Sequence, residues 1–372
     1  MKKTKVLVAT GLFPPQVGGP ATYSSLLLKE LPKRGFEIKI QSFGWVIQYP
    51  KIVRHVIYFF KVLFSGITAD IIYAQDPVSV GLPALVAARL LGKRFYIKIV
   101  GDYAWEQGSQ RAGVTDLLDQ FSTETDKYPF LVRMLKKVQY FVASHADRIV
   151  VPSKYLKLII SNWGVDPEKI TVIYNAFHAP HFSGSKEEHR QKLGWKGTVL
   201  ISAGRLVPWK GFDTLISLMP EIAAEVPDVH LYIAGNGPDK DYLESKIKEA
   251  EAQKLVTLLG GVKQDVLFGQ IKASDLFVLN TSYEGLSHQL LEVMALETPI
   301  VTTRAGGNVE TVDDNDSGFL VGYNDRAALK TAILKLITDR TLADKFVENG
   351  KKKLDFFGEE RMLSEISSFL KK

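Results

Sequence analysis

The sequence predicts an α/β protein built from doubly wound parallel sheets. Apolar runs of strand length alternate with helix-length segments along nearly the whole chain, which is the pattern of βαβ units on a parallel sheet. Gly-rich turns follow several of these runs, as they do where a strand leads into a helix at a ligand-binding edge. A polar stretch between residues 178 and 197 interrupts the alternation, which then restarts. We therefore expect two domains of similar size, joined near residue 180.

Six strands are predicted in the first domain. Apolar runs place them at residues 5–9, 36–43, 70–74, 95–100, 148–152 and 170–174. Helical spacing of apolar residues places helices at 21–31, 51–65, 80–91 and 154–163, with less regular ones within 115–143. Pro32 and Gly35 end the first helix, because both residues interrupt the helical backbone.

The second domain repeats this alternation. Strands are predicted at residues 198–203, 229–234, 255–259, 275–279, 300–303 and near 318–321. Helices fit between these strands, and the last ones are predicted at 326–338, 342–352 and 359–370. Ligands in such sheets bind outside the carboxyl ends of the strands. Two domains of this kind make the cleft between them the expected site.

Basic residues are concentrated in the first half of the chain. The 372-residue sequence has a net charge of +6, yet residues 1–178 hold 23 Lys and Arg against 13 Asp and Glu. Residues 179–372 hold 24 against 28. This asymmetry favours an anionic partner for the first half, such as nucleic acid, an anionic lipid leaflet or a phosphorylated substrate.

Composition also excludes several kinds of site. The chain has no cysteine, which excludes disulfides and cysteine-based chemistry. No set of ligands has a spacing that indicates a metal site. The apolar run near the N-terminus is too short for a signal peptide, and no stretch of about 18 uninterrupted apolar residues exists. We expect a cytoplasmic protein without a membrane-spanning helix.

The segment 280–303 is the main candidate for a ligand-binding turn. It follows the apolar run 275–279 and passes through Glu284-Gly285-Leu286-Ser287 into a helix. The N–H groups and dipole of such a helix start favour a phosphate. Glu284 and Glu292 flank the turn, and we expect them to bind sugar or ribose hydroxyls, because a carboxylate beside a phosphate is electrostatically costly. The alternative is one more strand–helix unit with two surface glutamates.

Two other strand ends carry residues suited to a nucleotide. Arg205 and Lys210 follow the first strand of the second domain, where two cations can clamp a diphosphate; the alternative is a solvated basic loop. Gly18 and Gly19 follow the first strand of the chain, where they let the backbone approach a phosphate or simply form a turn. Their spacing differs from the G-x-G-x-x-G dinucleotide fingerprint, which disfavours hydride transfer.

Asp102 ends the fourth strand of the first domain. We expect it to project into the cleft, where a carboxylate can accept a proton from an incoming hydroxyl. The alternative is an Asx turn or a helix cap, which are common roles of Asp at such positions.

The helix at residues 52–64 is apolar nearly all round and carries three basic residues. Phe, Tyr and Leu beside Lys and Arg are typical of a helix lying in a membrane interface, and the basic first half of the chain favours anionic lipid. The alternative is that the helix packs into the core beside the sheet.

Taken together, these positions resemble the retaining GT-B glycosyltransferases of the group 1 family (family four). The resemblance covers nearly the whole chain and rests on the order of its parts rather than on any one of them. Its carriers are Pro14-Pro15-Gln16-Val17-Gly18-Gly19, residues 146–153, residues 173–176, Gly204-Arg205-Leu206 with Lys210-Gly211, Glu284-x7-Glu292, and Thr298-Pro299-Ile300-Val301 with Gly306-Gly307.

The resemblance implies two Rossmann-like domains that face each other across a cleft. Residues 1–178 would form the acceptor side and residues 179–356 the nucleotide-sugar side, with the helix at 357–372 packing back on the first domain. The implied substrates are a nucleotide-sugar donor and a lipid-linked or oligosaccharide acceptor. Transfer would retain the anomeric configuration, need neither a metal nor another cofactor, and release a nucleoside diphosphate.

The resemblance also implies a role for each candidate residue. Arg205 and Lys210 would hold the diphosphate, Glu284 the donor sugar and Glu292 the ribose. The remaining implied contacts come from the backbone at Gly285, Leu286 and Ser287 to phosphate or sugar, from the backbone at Val262 to the base, and from the Gly18-Gly19 loop closing over the donor. Asp102 stands where many members carry His, which implies a polar contact or a base role.

Three functions remain in view from the sequence. The first is a hexosyltransferase that uses GDP-mannose or a UDP-sugar at the inner face of the membrane. The second is a nucleotide-sugar 2-epimerase-like enzyme of the same fold. The third is a non-enzymatic basic module that binds membrane or nucleic acid. The basic residues lack the aromatic-interleaved pattern of nucleic-acid recognition, so nucleic acid is not an expected partner.

Overall fold

The architecture is described by a computed structural model that covers residues 3–16, 18–179 and 182–371. The chain divides into two compact units, Met1–Asn175 with Glu359–Lys372, and Ala176–Gly358. Each unit is a six-stranded parallel sheet with helices between the strands. The predicted α/β class with two Rossmann-like domains is therefore confirmed. Val17 of the Pro- and Gly-rich loop and the expected junction at residue 180 lie outside the described residues.

The sheet of the first unit has the strand order β2-β1-β3-β4-β5-β6. Its strands are β1 (Thr4–Thr10), β2 (Phe36–Ser42), β3 (Ile71–Ala74), β4 (Arg94–Lys98), β5 (Arg148–Val151) and β6 (Ile170–Val172). The chain leaves β1 for β2 on one side, and all later strands add on the other side. The switch point, where ligands bind in such sheets, therefore lies between β1 and β3.

α-Helices connect these strands. They are α1 (Gly19–Glu30), α2 (Lys51–Gly66), α3 (Gly81–Leu90), α4 (Tyr103–Arg111), α5 (Leu118–Thr123), α6 (Phe130–Ser144) and α7 (Lys154–Asn162). Helix α4 was not predicted, because its sequence is mainly polar and contains Gly108, so it has no apolar periodicity. A side-chain cap at its first turn, described below, compensates for this weak local pattern.

The second unit has the strand order β12-β11-β10-β7-β8-β9. Its strands are β7 (Thr198–Ala203), β8 (Val229–Ala234), β9 (Val256–Gly260), β10 (Leu276–Leu279), β11 (Ile300–Thr303) and β12 (Phe319–Val321). Its helices are α8 (Lys186–Leu193), α9 (Phe212–Ala223), α10 (Lys240–Glu249), α11 (Gln264–Ala273), α12 (His288–Ala295), α13 (Asn308–Thr311), α14 (Arg326–Thr338) and α15 (Arg340–Leu354). The switch point of this sheet lies between β7 and β10.

The final helix, α16 (Glu359–Lys371), belongs to the first unit although it follows the second in sequence. Phe369 packs edge-on against Tyr96, with ring centroids 5.3 Å apart. Arg34 donates to Glu360 at 2.6 Å. The boundaries between the units lie at residues 175/176 and 358/359. The sequence places the corresponding boundaries at 178/179 and 356/357.

The central strands of each sheet are buried on both faces, as strands of parallel sheets usually are. Val6 to Ala9 of β1 and the whole of β10 are at most 1% exposed. This burial explains why the strands are continuous apolar runs rather than alternating ones. Within the part of the chain that the structure describes, no helix is both long and apolar enough to cross a membrane.

Candidate functional site

The switch point of the second unit brings together the two predicted donor-site loops. The loop after β7 carries Arg205 and Lys210, and the loop after β10 carries Glu284. These loops are neighbours because β7 and β10 pair directly and in parallel, so their carboxyl ends emerge at the same edge. The sequence places these segments more than 70 residues apart, and only the strand order makes them adjacent.

Lys210 forms an ion pair with Glu284. The ammonium group donates to Glu284 Oε1, and the two side chains are 13% and 19% exposed. Such partial burial strengthens the attraction relative to a pair in bulk water. The carboxylate therefore neutralises the cation that is expected to hold a diphosphate.

Arg205 is arranged differently. Its side chain is exposed, and it makes no hydrogen bond or ion pair with any residue that the structure describes. It follows Gly204, which has φ +154°, and Gly204 N–H donates to the Ala234 carbonyl at 2.9 Å. The guanidinium is therefore available at a strand edge whose backbone is tied to the neighbouring strand.

The loop that carries Lys210 is anchored by residues that the sequence analysis did not single out. Asn280 is fully buried, and its Nδ2 donates to the Gly211 carbonyl at 2.9 Å. Ser282 N–H donates to the Trp209 carbonyl at 2.8 Å. Buried polar side chains at the end of a strand, such as the run Asn280-Thr281-Ser282, are the signal that could have identified this anchor.

The backbone at Glu284 packs against a pair of glycines. Gly307 N–H donates to the Glu284 carbonyl at 2.7 Å. A Cβ on Gly306 would lie 2.1 Å from that same carbonyl oxygen, and a Cβ on Gly307 would lie 2.5 Å from the Gly285 oxygen. The Gly306-Gly307 pair is therefore required by close backbone approach, and it holds the turn that presents Glu284.

The turn then leads into helix α12. Ser287 caps this helix by accepting a hydrogen bond from Leu290 N–H at 3.4 Å. Leu286 and Ser287 are 8% and 2% exposed, so their side chains point into the protein. Their backbone and that of Gly285 form the edge of the site, and the first-turn N–H groups of a helix have no partner within the helix.

Glu292 lies about one turn into α12, close to the turn after β9. Gln264 Nε2 donates to Glu292 Oε1 at 3.1 Å. Burial raises the pKa of Glu292 above its ordinary value, and the hydrogen bond from Gln264 partly offsets this. Gln264 begins α11, two residues after the half-buried Val262. The two positions expected to contact ribose and base thus come close together.

The first unit contains the other predicted residues. Gly18 has φ +151° and immediately precedes α1, which begins at Gly19 without a side-chain cap. A Cβ on Gly19 would meet nothing within 4 Å. The predicted Gly-rich opening of a helix is present, and only Gly18 has a backbone conformation that favours glycine.

The prediction that Asp102 projects into an open cleft is wrong. The residue is fully buried and caps α4, because its Oδ1 accepts a hydrogen bond from Trp105 N–H at 2.9 Å. Gln139 Nε2 donates to the same oxygen at 3.0 Å, and Trp163 Nε1 donates to Oδ2 at 3.0 Å. With both oxygens occupied and no exposed surface, the helix-cap alternative describes Asp102.

Helix α2 carries apolar side chains on both its inner and its outer face. Tyr58 and Val62 are fully buried in the core, so the helix does pack beside the sheet. The outer side chains are 45–82% exposed and recur at helical spacing: Ile52, Val53, Val56, Phe60 and Phe64. Just before the helix, three more are 43–54% exposed: Trp45, Ile47 and Tyr49. An exposed apolar patch of this extent indicates an interaction surface.

No group of three or more His, Asp and Glu side chains with metal-binding geometry occurs among the described residues. Positive charge at the switch point of the second unit comes instead from Lys210 and Arg205. This arrangement can bind an anion such as a diphosphate and, through Glu284 and Glu292, a ligand that carries hydroxyl groups.

Comparison with known proteins assigns both halves of the chain. Residues 185–353 match the family described as Glycosyl transferases group 1, and residues 17–179 match Glycosyltransferase Family 4. The chain is 33% identical over 156 residues to the lipopolysaccharide core biosynthesis glycosyltransferase LpsE of Rhizobium meliloti, which covers 42% of this chain and 44% of LpsE. It is 32% identical over 161 residues to a GDP-mannose-dependent phosphatidylinositol monomannoside mannosyltransferase of Mycobacterium tuberculosis, covering 41% and 42%.

The matched segment thus spans less than half the length of each of these two relatives. Among solved structures, HepE of Anabaena in complex with UDP-glucose superposes with a TM-score of 0.74 at 20% identity, covering 99% of both chains. This likeness shows the fold, which is of the GT-B type. With both halves matched and the fold shared, the chain belongs to the group 1 glycosyltransferases of family four.

Proposed function

We propose that the protein is a retaining hexosyltransferase that uses GDP-mannose or a UDP-sugar and a lipid-linked or glycan hydroxyl acceptor. The observation that carries this proposal is the pairing of Lys210 with Glu284 at the switch point of the second unit, beside the start of α12. One sheet edge there offers a cation, helix N–H groups and a carboxylate. A GDP-mannose-dependent relative and the UDP-glucose complex of HepE support a nucleotide-sugar donor.

In the proposed complex, Arg205 and Lys210 hold the diphosphate, and Glu284 accepts hydrogen bonds from hydroxyls of the donor sugar. Lys210 exchanges its contact with Glu284 for one with phosphate, which leaves the carboxylate free for the sugar. Glu292 binds the ribose hydroxyls, and the backbone at Val262 contacts the base.

Backbone groups complete the proposed donor site. The N–H groups at Gly285, Leu286 and Ser287 contact phosphate or sugar at the start of α12. The Gly18-Gly19 loop closes over the donor, since Gly18 has the backbone freedom that such a loop requires.

Transfer breaks the bond between the anomeric carbon and the diphosphate oxygen, and forms a bond from that carbon to the acceptor oxygen. The acceptor proton ends on the nucleoside diphosphate. Stabilisation of negative charge on the departing diphosphate by Arg205, Lys210 and the start of α12 is the main contribution to the rate.

We propose that the acceptor is met at the inner face of the membrane, where the protein binds peripherally. The outer face of α2 supports this proposal, because exposed aromatic and aliphatic side chains lie there and the same helix carries the exposed Lys61. Basic residues near such a face favour anionic lipid.

Donor turnover tests the proposed activity. Purified protein is incubated with GDP-mannose, UDP-glucose or UDP-N-acetylglucosamine, and release of GDP or UDP is measured. We expect turnover of one donor and its loss in Arg205→Ala and Glu284→Gln, with Arg340→Ala, an exposed arginine at the start of α15, as control. Unchanged turnover in both Arg205→Ala and Glu284→Gln would contradict the proposal. An isomerised donor in reactions without acceptor would favour the epimerase alternative. The one-bond carbon–proton coupling constant at the anomeric carbon of the product reports retention.

We also propose that turnover needs no divalent metal, because protein cations serve the diphosphate. Turnover in excess EDTA is expected to equal that with Mg²⁺ or Mn²⁺. A loss of tenfold or more that added metal restores would contradict this.

A further inference from the structure

The switch point of the first unit lies at the carboxyl ends of β1, β2 and β3. Strands β1 and β3 pair up to Ala9 and Ala74, and two residues further on Gly11 lies beside Asp76. A Cβ on Gly11 would lie 4.0 Å from Asp76 Oδ2. Gly44 N–H donates to the Gly11 carbonyl at 3.1 Å, which brings the loop after β2 to the same place. Ligands bind at such points in open α/β sheets.

Asp76 presents one carboxylate oxygen at this point. Its Oδ1 accepts hydrogen bonds from the backbone N–H groups of Val78, Ser79 and Val80 at 2.8, 2.6 and 3.2 Å. These three bonds hold the carboxylate in one orientation. Its Oδ2 receives no hydrogen bond from the described part of the chain, and the residue is only half-buried. Burial raises the pKa of Asp76, and the three N–H donors partly offset this.

Gln75, the residue before Asp76, belongs to a network of buried polar side chains. Thr10, Ser24 and Gln75 are at most 4% exposed. The Thr10 hydroxyl lies 3.1 Å from Gln75 Oε1, and Gln75 Nε2 donates to Ser24 Oγ at 2.9 Å. This network fixes Gln75, the residue that follows β3 and precedes Asp76.

A second acceptor without a donor lies on the neighbouring loop. Gln16 Oε1 is buried with no hydrogen-bond partner among the described residues. Its side chain lies against Gly44, where a Cβ would be 1.9 Å from Gln16 Oε1. The accessible acceptor, Asp76 Oδ2, lacks a donor and favours a ligand that supplies O–H groups. Residues 1–100 hold 14 Lys and Arg against 4 Asp and Glu, which disfavours a cationic amine.

We propose that Asp76 is a specificity-determining residue that accepts hydrogen bonds from hydroxyl groups of a sugar or polyol acceptor. This role rests on the proposed transfer and adds to it the residue that selects the acceptor. Asp102 is buried as a helix cap and therefore does not contact the acceptor. Gly11 lies next to this oxygen, and a Cβ there would be in van der Waals contact with Oδ2 at 4.0 Å.

The test compares Asp76→Asn with Asp70→Asn. Asparagine keeps an oxygen that can accept the three backbone hydrogen bonds, but it replaces the free carboxylate oxygen with an N–H₂ group. Asp70 is the matched control, since it is also half-buried, lies at the opposite end of β3 and accepts one backbone bond from Lys5 at 2.8 Å. The probes are glycerol and the methyl and octyl glycosides of glucose and mannose, with the turned-over nucleotide sugar as donor.

We expect Asp76→Asn to raise the acceptor KM at least tenfold while donor KM and acceptor-free donor hydrolysis stay within twofold of the wild type. Asp70→Asn should change none of these values. An unchanged acceptor KM in Asp76→Asn, or an equal rise in Asp70→Asn, would overturn the proposal. If no donor is turned over, that result counts against the proposed transferase activity and not against the role of Asp76. Calorimetric titration of the same probes then tests acceptor binding by Asp76 directly. Equal probe affinity in wild type and Asp76→Asn, or no binding to either, would then overturn the role of Asp76.

Discussion

Lys210 and Glu284 face each other across the switch point of the second sheet, and the lysine ammonium donates to the glutamate carboxylate. The pair joins the loop after β7 to the loop after β10, so two loops far apart in sequence are held as one surface. A diphosphate would compete with Glu284 for the lysine. A bound donor would therefore have to exchange the contact of Lys210 with Glu284 for one with phosphate.

Replacing Lys210 should weaken catalysis more than it weakens the fold. We expect Lys210→Ala to lower kcat by about 100-fold or more, which is typical when one group that stabilises developing negative charge is lost. Steady-state measurement of nucleoside diphosphate release checks this. Lys240→Ala is the control, because that lysine pairs with Glu244 on the exposed face of α10 at 3.7 Å. Equal kcat values for the two variants would contradict the role of Lys210.

Gly306 should be far less tolerant of a side chain than Gly194. Both have a left-handed backbone, with φ +53° and +66°. A Cβ on Gly194 meets nothing within 4 Å, whereas one on Gly306 would lie 2.1 Å from the Glu284 oxygen. We expect Gly194→Ala to cost about 1–2 kcal/mol of unfolding free energy. Gly306→Ala should cost ~1–3 kcal/mol more and should also weaken donor binding.

Urea unfolding and calorimetric titration of the donor measure these two effects. Similar unfolding free energies for Gly306→Ala and Gly194→Ala would show that the close approach to Glu284 is not maintained in solution.

Asp102 should contribute to stability rather than to chemistry. Asp102→Ala removes a helix cap, worth about 1 kcal/mol, and leaves the buried Gln139 donor unpaired, at a cost of ~1–3 kcal/mol. We expect an unfolding free energy lower by about 2–4 kcal/mol, with donor hydrolysis at low temperature within severalfold of the wild type. Asp166→Ala, which removes a cap from an exposed turn, should cost ~1 kcal/mol at most. Unchanged stability with a 100-fold loss of hydrolysis would restore Asp102 as a catalytic residue.

Lys98 should make the stability depend on pH above neutrality. Its side chain is 3% exposed, its ammonium donates to Asn175 Oδ1 at 2.6 Å and it lies 3.6 Å from the centre of the Tyr23 ring. Burial lowers the pKa of Lys98 from 10.5 to about 7. Between these two pH values the unfolded chain binds a proton that the folded chain does not, so unfolding becomes less favourable as pH rises.

The free energy of unfolding should therefore rise from about pH 7 toward pH 10, by at most ~1.4 kcal/mol per pH unit. Below pH 7 both states carry the proton, and the cost of the buried charge is fully present. Lys98→Met should flatten the rise, and Lys29→Met, at a lysine whose side chain is 78% exposed, should leave it in place. Denaturant unfolding at several pH values measures the slopes. A rise that persists in Lys98→Met would assign it to other groups.

The outer face of α2 should bind anionic bilayers. We expect Ile52→Ser/Phe64→Ser, which alters side chains that are 82% and 67% exposed, to reduce sedimentation with phosphatidylglycerol vesicles at least tenfold. Leu158→Ser on α7, 56% exposed in the wild type, is the control. Binding should be weaker to phosphatidylcholine vesicles and at high salt. Equal vesicle binding by all variants would contradict a membrane role. So would a result in which Ile52→Ser/Phe64→Ser abolishes self-association of the protein but leaves vesicle binding unchanged.

The strand–helix alternation was readable because strands buried on both faces must be continuous apolar runs. Helix α4 was missed because capping by Asp102, rather than apolar spacing, defines its start. The apolar composition of α2 left two interpretations open, because it records how apolar a helix is but not how much of that surface a sheet can cover. The structure buries Tyr58 and Val62 and leaves Phe60 and Phe64 exposed.

The sequence by itself determined the fold class, the family and the types of residue at the strand ends, because strand periodicity and turn chemistry are local properties. Tertiary structure alone decided which strand ends are neighbours. Strand order pairs Lys210 with Glu284 and places Gly306 against the Glu284 backbone, and it buries Asp102 while leaving one oxygen of Asp76 accessible. Order within a sheet depends on packing between distant segments, so no local pattern contains it.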